Sequence, residues 1–232
     1  MARAALITGG SSGIGLAIAR ALREDGYELT LASRRREKVE AAAAELGAHA
    51  VAANVAVPEE CAAVVAGHRE RHGRLDVLVN GAGVGVAGNL DQLPPKHVAL
   101  QLDVNVRGLV LVTQAALPLL RESRGHVVNL ASIAGTMPTP GLSIYGASKA
   151  AVIAFTRSLN AELDADGVRA TALCPGFVDT PMAAWTGIPG EQMIQPEDCA
   201  ELVRALLRLS PHARVPEIVV ERAGAGAHGL PG

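Results

Sequence analysis

Apolar residues along this chain follow two patterns that take turns from one end to the other. Short, unbroken apolar runs occupy Ala4–Thr8, Glu28–Ser33, Ala48–Ala53, Val77–Asn80, His126–Leu130, Arg169–Cys174 and Ile218–Val220. They hardly alternate with polar residues, as expected of parallel strands covered on both faces. Longer amphipathic or alanine-rich stretches lie between them. These predict helices over Ile14–Arg23, Arg35–Glu45, Glu59–His72, Lys96–Arg121, Ile144–Leu163 and Glu197–Leu209. Pro58 before Glu59-Glu60 and Pro196 before Glu197-Asp198 are proline-then-acid helix starts. Strand and helix in regular turn imply βαβ units. The expected class is α/β: a doubly wound, seven-stranded parallel sheet with helices on both faces. Neither a repeat period nor a linker divides the chain, so one domain is expected over 1–222, with a loose Gly-rich tail at 223–232.

Composition narrows the function classes. A chain of 232 residues can bury a sizeable core without staples. A net charge of −2 and only five aromatics (Tyr27, Tyr145, Phe155, Phe177 and Trp185) argue against nucleic acid as a partner, which needs a basic face and stacking rings. Cys61, Cys174 and Cys199 are odd in number and far apart, so no disulfide framework is expected. Charge-free stretches such as Gly108–Leu120 are too short to span a bilayer. The chain opens on an apolar strand rather than a signal-peptide pattern. The expected setting is cytoplasmic, with no membrane partner.

The first strand runs directly into Thr8-Gly9-Gly10-Ser11-Ser12-Gly13-Ile14-Gly15 and then a helix. Glycines there let backbone N–H groups approach a pyrophosphate at the positive end of the helix. The spacing is Gly-x-x-x-Gly-x-Gly, not the general Gly-x-Gly-x-x-Gly. About 20 residues on, where an NAD site carries a carboxylate for the ribose, the chain reads Ser33-Arg34-Arg35-Arg36. No acid is present to repel a 2′-phosphate, and guanidinium groups are available to hold one. That favours NADP, although Arg35 and Arg36 also suit the solvated opening of a helix.

Tyr145-Gly-Ala-Ser-Lys149 opens the fifth predicted helix, and a separation of four places both side chains on one face. Bringing a phenol from a pKa of about 10 to about 7 takes roughly 4 kcal/mol. A lysine about 6 Å away supplies roughly 3 kcal/mol at an effective dielectric of 20, and an oxidised nicotinamide could cover the rest. Alone, the pair is also a common surface i,i+4 contact.

Taken together, Thr8-Gly9-x-x-x-Gly13-x-Gly15, Asn80-Gly81-Ala82-Gly83, Asn105, Ser132, Tyr145-x-x-x-Lys149 and Pro175-Gly176 with Thr180 resemble the short-chain dehydrogenase/reductase family, in order over about residues 4 to 182. The compact single-domain branch is the nearest match, and it implies a Rossmann-like fold. By this resemblance Tyr145 is the general acid/base, and Lys149 lowers its pKa and holds the nicotinamide ribose. Ser132 orients the substrate oxygen, and Asn105 anchors a proton-relay water. The cofactor would lie on Thr8, Gly9, Ser11, Ser12, Gly13, Ile14 and Gly15 at the pyrophosphate. Ser33, Arg34 and Arg35 would meet the 2′-phosphate, and Asn54 and Val55 the adenine. Asn80, Gly81, Ala82 and Gly83 would line the adenosine side, although Asn80 equally suits a strand fastener. Pro175, Gly176, Val178 and Thr180 would meet the carboxamide. Two departures stand out: Asn54 replaces the family's usual Asp, and the chain ends Glu217-Ile-Val-Val-Glu-Arg-Ala-Gly rather than in a strand with Asp-Gly-Gly.

The other candidates are weaker. His68 and His72 have a metal-ligand spacing but no further ligands, and read as a solvated helix end; no metal is expected. Cys174 reads as packing. Val84–Leu93, Thr136–Ser143 and Pro181–Gln195 should close the pocket, the last as a lid carrying Met182, Trp185, Ile188 and Met193. None of the three contains Lys or Arg, which favours a neutral or apolar carbonyl substrate. Ala147, Ala150, Ala151 and Ala154 recur on the tyrosine helix, and the family pairs this helix between subunits, so a homodimer or homotetramer is implied. The expected function is NADP-dependent interconversion of a carbonyl and a secondary alcohol. The alternative is a catalytically silent dinucleotide sensor or scaffold.

Overall fold

A computed structural model describes residues 2–224. The expected tail falls mostly at 225–232, outside the described residues. Seven parallel strands form one sheet: β1 (Ala4–Thr8), β2 (Glu28–Ser33), β3 (His49–Ala52), β4 (Val77–Asn80), β5 (His126–Leu130), β6 (Arg169–Pro175) and β7 (Glu217–Val220), in the order β3-β2-β1-β4-β5-β6-β7. The sequence-predicted strands agree with these to within one or two residues.

The helices are α1 (Gly13–Glu24), α2 (Arg36–Leu46), α3 (Pro58–His72), α4 (Pro95–Leu102), α5 (Leu109–Ser123), α6 (Ser143–Glu162) and α7 (Pro196–Arg208). Proline occupies the first turn of α3 and α7, and Gln195 with Asp198 forms a capping box at α7. Adjacent strand residues point to opposite faces. Ile7, Val79, Val128 and Leu173 therefore pack with α1, α2 and α7, while Leu6, Leu78 and Val127 pack with α3, α5 and the end of α6.

The predicted helix Lys96–Arg121 is not uniform. Its centre, Asp103–Gly108, widens into a π-helical turn between α4 and α5. The whole run Pro95–Ser123 is long and apolar enough to cross a bilayer. Here Leu109, Val112, Ala116, Leu119 and Leu120 are instead buried in the core.

The switch point lies between β1, which leads outward to β2 and β3, and β4, which starts the other half of the sheet. Thr8 is in register with Ala32 on one side and Asn80 on the other. In open α/β sheets the ligand crevice lies beyond the strand ends at this point.

Candidate active site

The loop after β1 is shaped by what its glycines touch. A Cβ on Gly9 (φ +69°) would lie 2.5 Å from the Gly81 carbonyl oxygen, and one on Gly15 would lie 2.5 Å from that of Gly9. Backbone approaches backbone so closely that only glycine fits. Thr8 Oγ1 accepts the N–H groups of Gly81 (3.2 Å) and Ala82 (3.3 Å), joining this loop to the one after β4. Gly13 faces Thr180, so the segment after β6 reaches the same corner.

Ser12 precedes α1 without a side-chain cap, and the first turn of α1 carries no acid. By contrast α2, α3 and α7 carry Glu37, Glu59-Glu60 and Glu197-Asp198 in their first turns. The uncapped N–H groups and positive dipole end of α1 suit a pyrophosphate.

At the end of β2 the three arginines differ. Arg36 pairs with Glu40 (3.3 Å) on the exposed face of α2. Arg34 and Arg35 are exposed and make no ion pair among the described residues. Ser33 lies beside them and accepts a hydrogen bond from Ser11 Oγ at 2.8 Å, so the glycine loop and the arginines share one corner. Asn54 uses its side-chain oxygen to accept the Ala56 N–H (3.2 Å), leaving that oxygen's second lone pair. Val55 beside it is buried.

Asn80 is the motif residue that the structure turns away from the cleft. It is buried, and its Nδ2 donates to Thr113 Oγ1 and Asn129 Oδ1, both at 2.9 Å. Asn129 passes the chain on to Thr156 (2.9 Å). The Asn80 Nδ2 thus fastens β4 to β5 and α5.

Ser132 follows β5 and caps the short turn Ile133–Gly135, where its Oγ accepts the Ala134 N–H (3.2 Å). This turn rests directly on α6. A Cβ on Gly135 would lie 2.7 Å from the Ala150 nitrogen, and one on Gly146 would lie 2.7 Å from the Ala134 oxygen. Neither glycine figured among the expected site residues. The available signal was Gly146 itself, because glycine inside a helix costs about 1 kcal/mol and needs a packing reason.

Tyr145 is half-buried at the start of α6, with Gly85 against its ring. Burial raises its pKa above the usual 10, while the Ser132 hydroxyl pulls in the opposite direction. Lys149 lies one turn on, 5% exposed, with Nζ 5.6 Å from the Tyr145 ring centroid. Its ammonium donates to the Leu130 carbonyl (2.7 Å), and burial draws its pKa down to about 8. The family resemblance implies that Lys149 lowers the phenol's pKa. Among protein groups alone burial prevails: desolvation of the phenol outweighs the opposing pull of the Ser132 hydroxyl.

Asn105 sits in the π-helical turn. Its Oδ1 accepts the Val84 N–H (2.8 Å), and its Nδ2 donates to the Val84 carbonyl (2.9 Å) and Ser148 Oγ (3.0 Å). Both donors of the amide are engaged, so this side chain braces the loop after β4.

Elsewhere, His68 departs from the expected solvated helix end. It is fully buried, with Nδ1 2.9 Å from Thr30 Oγ1 and Nε2 2.9 Å from the Arg74 carbonyl. That face of α3 packs on β2. No group of three metal-ligating side chains occurs among the described residues. Cys174 is buried and burial pushes its thiol up to about 12, as packing requires. The expected lid contains the short turns Ala184–Thr186 and Gly190–Gln192, with Trp185 58% exposed and edge-on to Phe177 at 6.3 Å.

A family model described as short chain dehydrogenase matches residues 3–187. Uncharacterized oxidoreductases of Staphylococcus epidermidis and Staphylococcus aureus (strain USA300) are 35% and 36% identical over 221 and 222 residues, covering 94% of this chain and 96% of each relative. An alcohol dehydrogenase from the archaeon Thermococcus sibiricus, complexed with 5-hydroxy-NADP, is similar with a TM-score of 0.88 and 33% identity over 95% of this chain and 97% of that one. A 3-ketoacyl-(acyl-carrier-protein) reductase from Brucella melitensis, complexed with NADH, has a TM-score of 0.89 and 29% identity over 96% and 97%. With this sheet order and this set of motifs, the chain is an oxidoreductase that belongs to the short-chain dehydrogenase/reductase family.

Proposed function

We propose that the protein reduces the carbonyl group of a neutral or apolar ketone or aldehyde at the expense of NADPH, and oxidises the corresponding secondary alcohol in reverse. The observation that carries this reading is the placement of Ser132, Tyr145 and Lys149 on one wall, beside a glycine cradle and an uncapped helix end. When bound, the nicotinamide supplies or accepts the hydride. The protein's own part is proton transfer. Tyr145 keeps its proton at neutral pH and gives it to the substrate oxygen, which the Ser132 hydroxyl orients. As the phenolate forms, the Lys149 ammonium, 5.6 Å from the ring centroid, stabilises it; opposite unit charges about 6 Å apart gain roughly 3 kcal/mol at an effective dielectric of 20.

The preference for NADP rests on Arg34 and Arg35 beside the Ser11–Ser33 corner, with no carboxylate at the end of β2. The expected pocket walls lack Lys and Arg and carry Met182 and Trp185, which supports a neutral or apolar substrate. Exposed Ala147, Ala150 and Ala154 on α6 support a homodimer or homotetramer, and three free cysteines suit a reducing cytoplasm. The test is an NADPH-consumption screen over a panel of neutral and carboxylated ketones and aldehydes. Turnover of neutral members is expected. Tight NADPH binding with no turnover across the panel would favour a dinucleotide sensor instead.

A further inference from the structure

Gln101 is one of the largest fully buried side chains, and it belongs to none of the motifs. A buried amide is tolerated only when its polar atoms find partners. Its Oε1 accepts the Val86 N–H at 3.1 Å, and its Nε2 donates to the His97 carbonyl one turn back at 3.1 Å. Asn105, four residues on, holds Val84 through both its N–H and its carbonyl. The two amides therefore stand where a neighbouring strand would, and each takes an alternate residue of the segment between them. Successive peptides of an extended chain face opposite ways, so pinning 84 and 86 to the helices turns the Gly85 peptide away from them. Gly85 is also the point where this segment meets catalysis: a Cβ there would lie 3.5 Å from Cδ2 and 3.6 Å from Cε2 of Tyr145. Further along, the Gly88 N–H donates to the Gly141 carbonyl (2.8 Å), so the segment's other end is tied to the loop that leads into α6.

We infer that Gln101 is a positioning residue for the substrate: together with Asn105 it clamps Val84–Val86 as a fixed wall against the Tyr145 ring, and so sets substrate affinity without touching the cofactor. The inference rests on the carbonyl-reductase reading for its kinetic part. The clamp itself has a readout that does not depend on turnover.

The test compares wild type with Gln101→Met and Gln101→Glu. Methionine has similar length and suits a buried helix position, so the first variant keeps the fold while removing the acceptor for Val86. Glutamate returns an oxygen to that place. Three quantities are read: amide hydrogen exchange over residues 84–92, NADPH dissociation constant, and KM with kcat for the best carbonyl substrate of the panel. In Gln101→Met, exchange at Val86 should rise at least tenfold and KM about tenfold, with kcat within threefold and NADPH affinity within twofold of wild type. Gln101→Glu should recover most of the KM change. Wild-type exchange and KM in a folded Gln101→Met protein would overturn the inference. So would a loss of NADPH affinity equal to the loss in KM, which would mean a general loosening. If wild type turns over no carbonyl, the functional reading fails while the exchange result still decides the clamp.

Discussion

Lys149 combines the catalytic position proposed for it with a destabilising burial, and replacing it with methionine should reveal the cost. Its ammonium is buried, has no carboxylate partner among the described residues, and has its pKa drawn down to about 8 from the usual 10.5. Each unit of difference is about 1.36 kcal/mol, so the charged form costs the folded protein about 3 kcal/mol. The folded pKa lies below the unfolded one. The penalty is therefore complete below pH 8 and fades as pH rises through 10.5, above which both states are neutral. Lys149→Met removes the penalty but leaves the Leu130 carbonyl without its 2.7 Å donor, a loss of about 1–2 kcal/mol. Near pH 7 the variant should be about 1–2 kcal/mol more stable than wild type, and near pH 10.5 less stable by a similar amount. Urea unfolding of both proteins at pH 7, 8, 9 and 10 measures this, since other groups titrate alike in each and cancel. A stability difference that stays constant across that range would refute the reasoning.

Further outcomes follow from the same physical chemistry. Replacing Arg34 and Arg35 together by alanine should weaken NADPH binding at least tenfold and leave NADH binding within twofold, as read by cofactor fluorescence; equal loss for both would remove the basis for NADP preference. Acid should destabilise the fold through two buried histidines. Burial lowers His68 to about 4 and His126 to about 3, so both are neutral when folded while the unfolded chain takes up protons below about 6.5. Stability should fall as pH drops from 6.5 toward 4, and His68→Gln should flatten that fall by about 2 kcal/mol in urea unfolding at pH 7 and 4.5.

Much of the architecture was legible because parallel strands buried on both faces read as continuous apolar runs. Ala4–Thr8 and Val77–Asn80 could be bounded from the residues alone. The helix Lys96–Arg121 was less transparent, because a π-helical turn adds one residue to a single turn without breaking the apolar pattern around it. That turn carries Asn105, so the motif residue was visible while its bonds to Val84 were not. Asn80 shows the same limit: its type and place in a motif suggest a cofactor contact, but which way a side chain faces depends on Thr113 and Asn129, 33 and 49 residues away. Gln101 gave no signal, since one polar residue on a long helix ordinarily faces water. Ser132, Tyr145 and Lys149 were legible because hydroxyl, phenol and amine are a chemical set that packing alone does not call for.

The central claim is that Tyr145 gives its proton to the substrate, and Tyr145→Phe tests it with the loss of one oxygen. Steady-state NADPH consumption with the best carbonyl substrate should fall at least about 100-fold, the scale of general-acid catalysis. NADPH affinity should remain within threefold, because the ring and its packing on Gly85 are kept. A Tyr145→Phe protein that retains wild-type turnover would contradict the account.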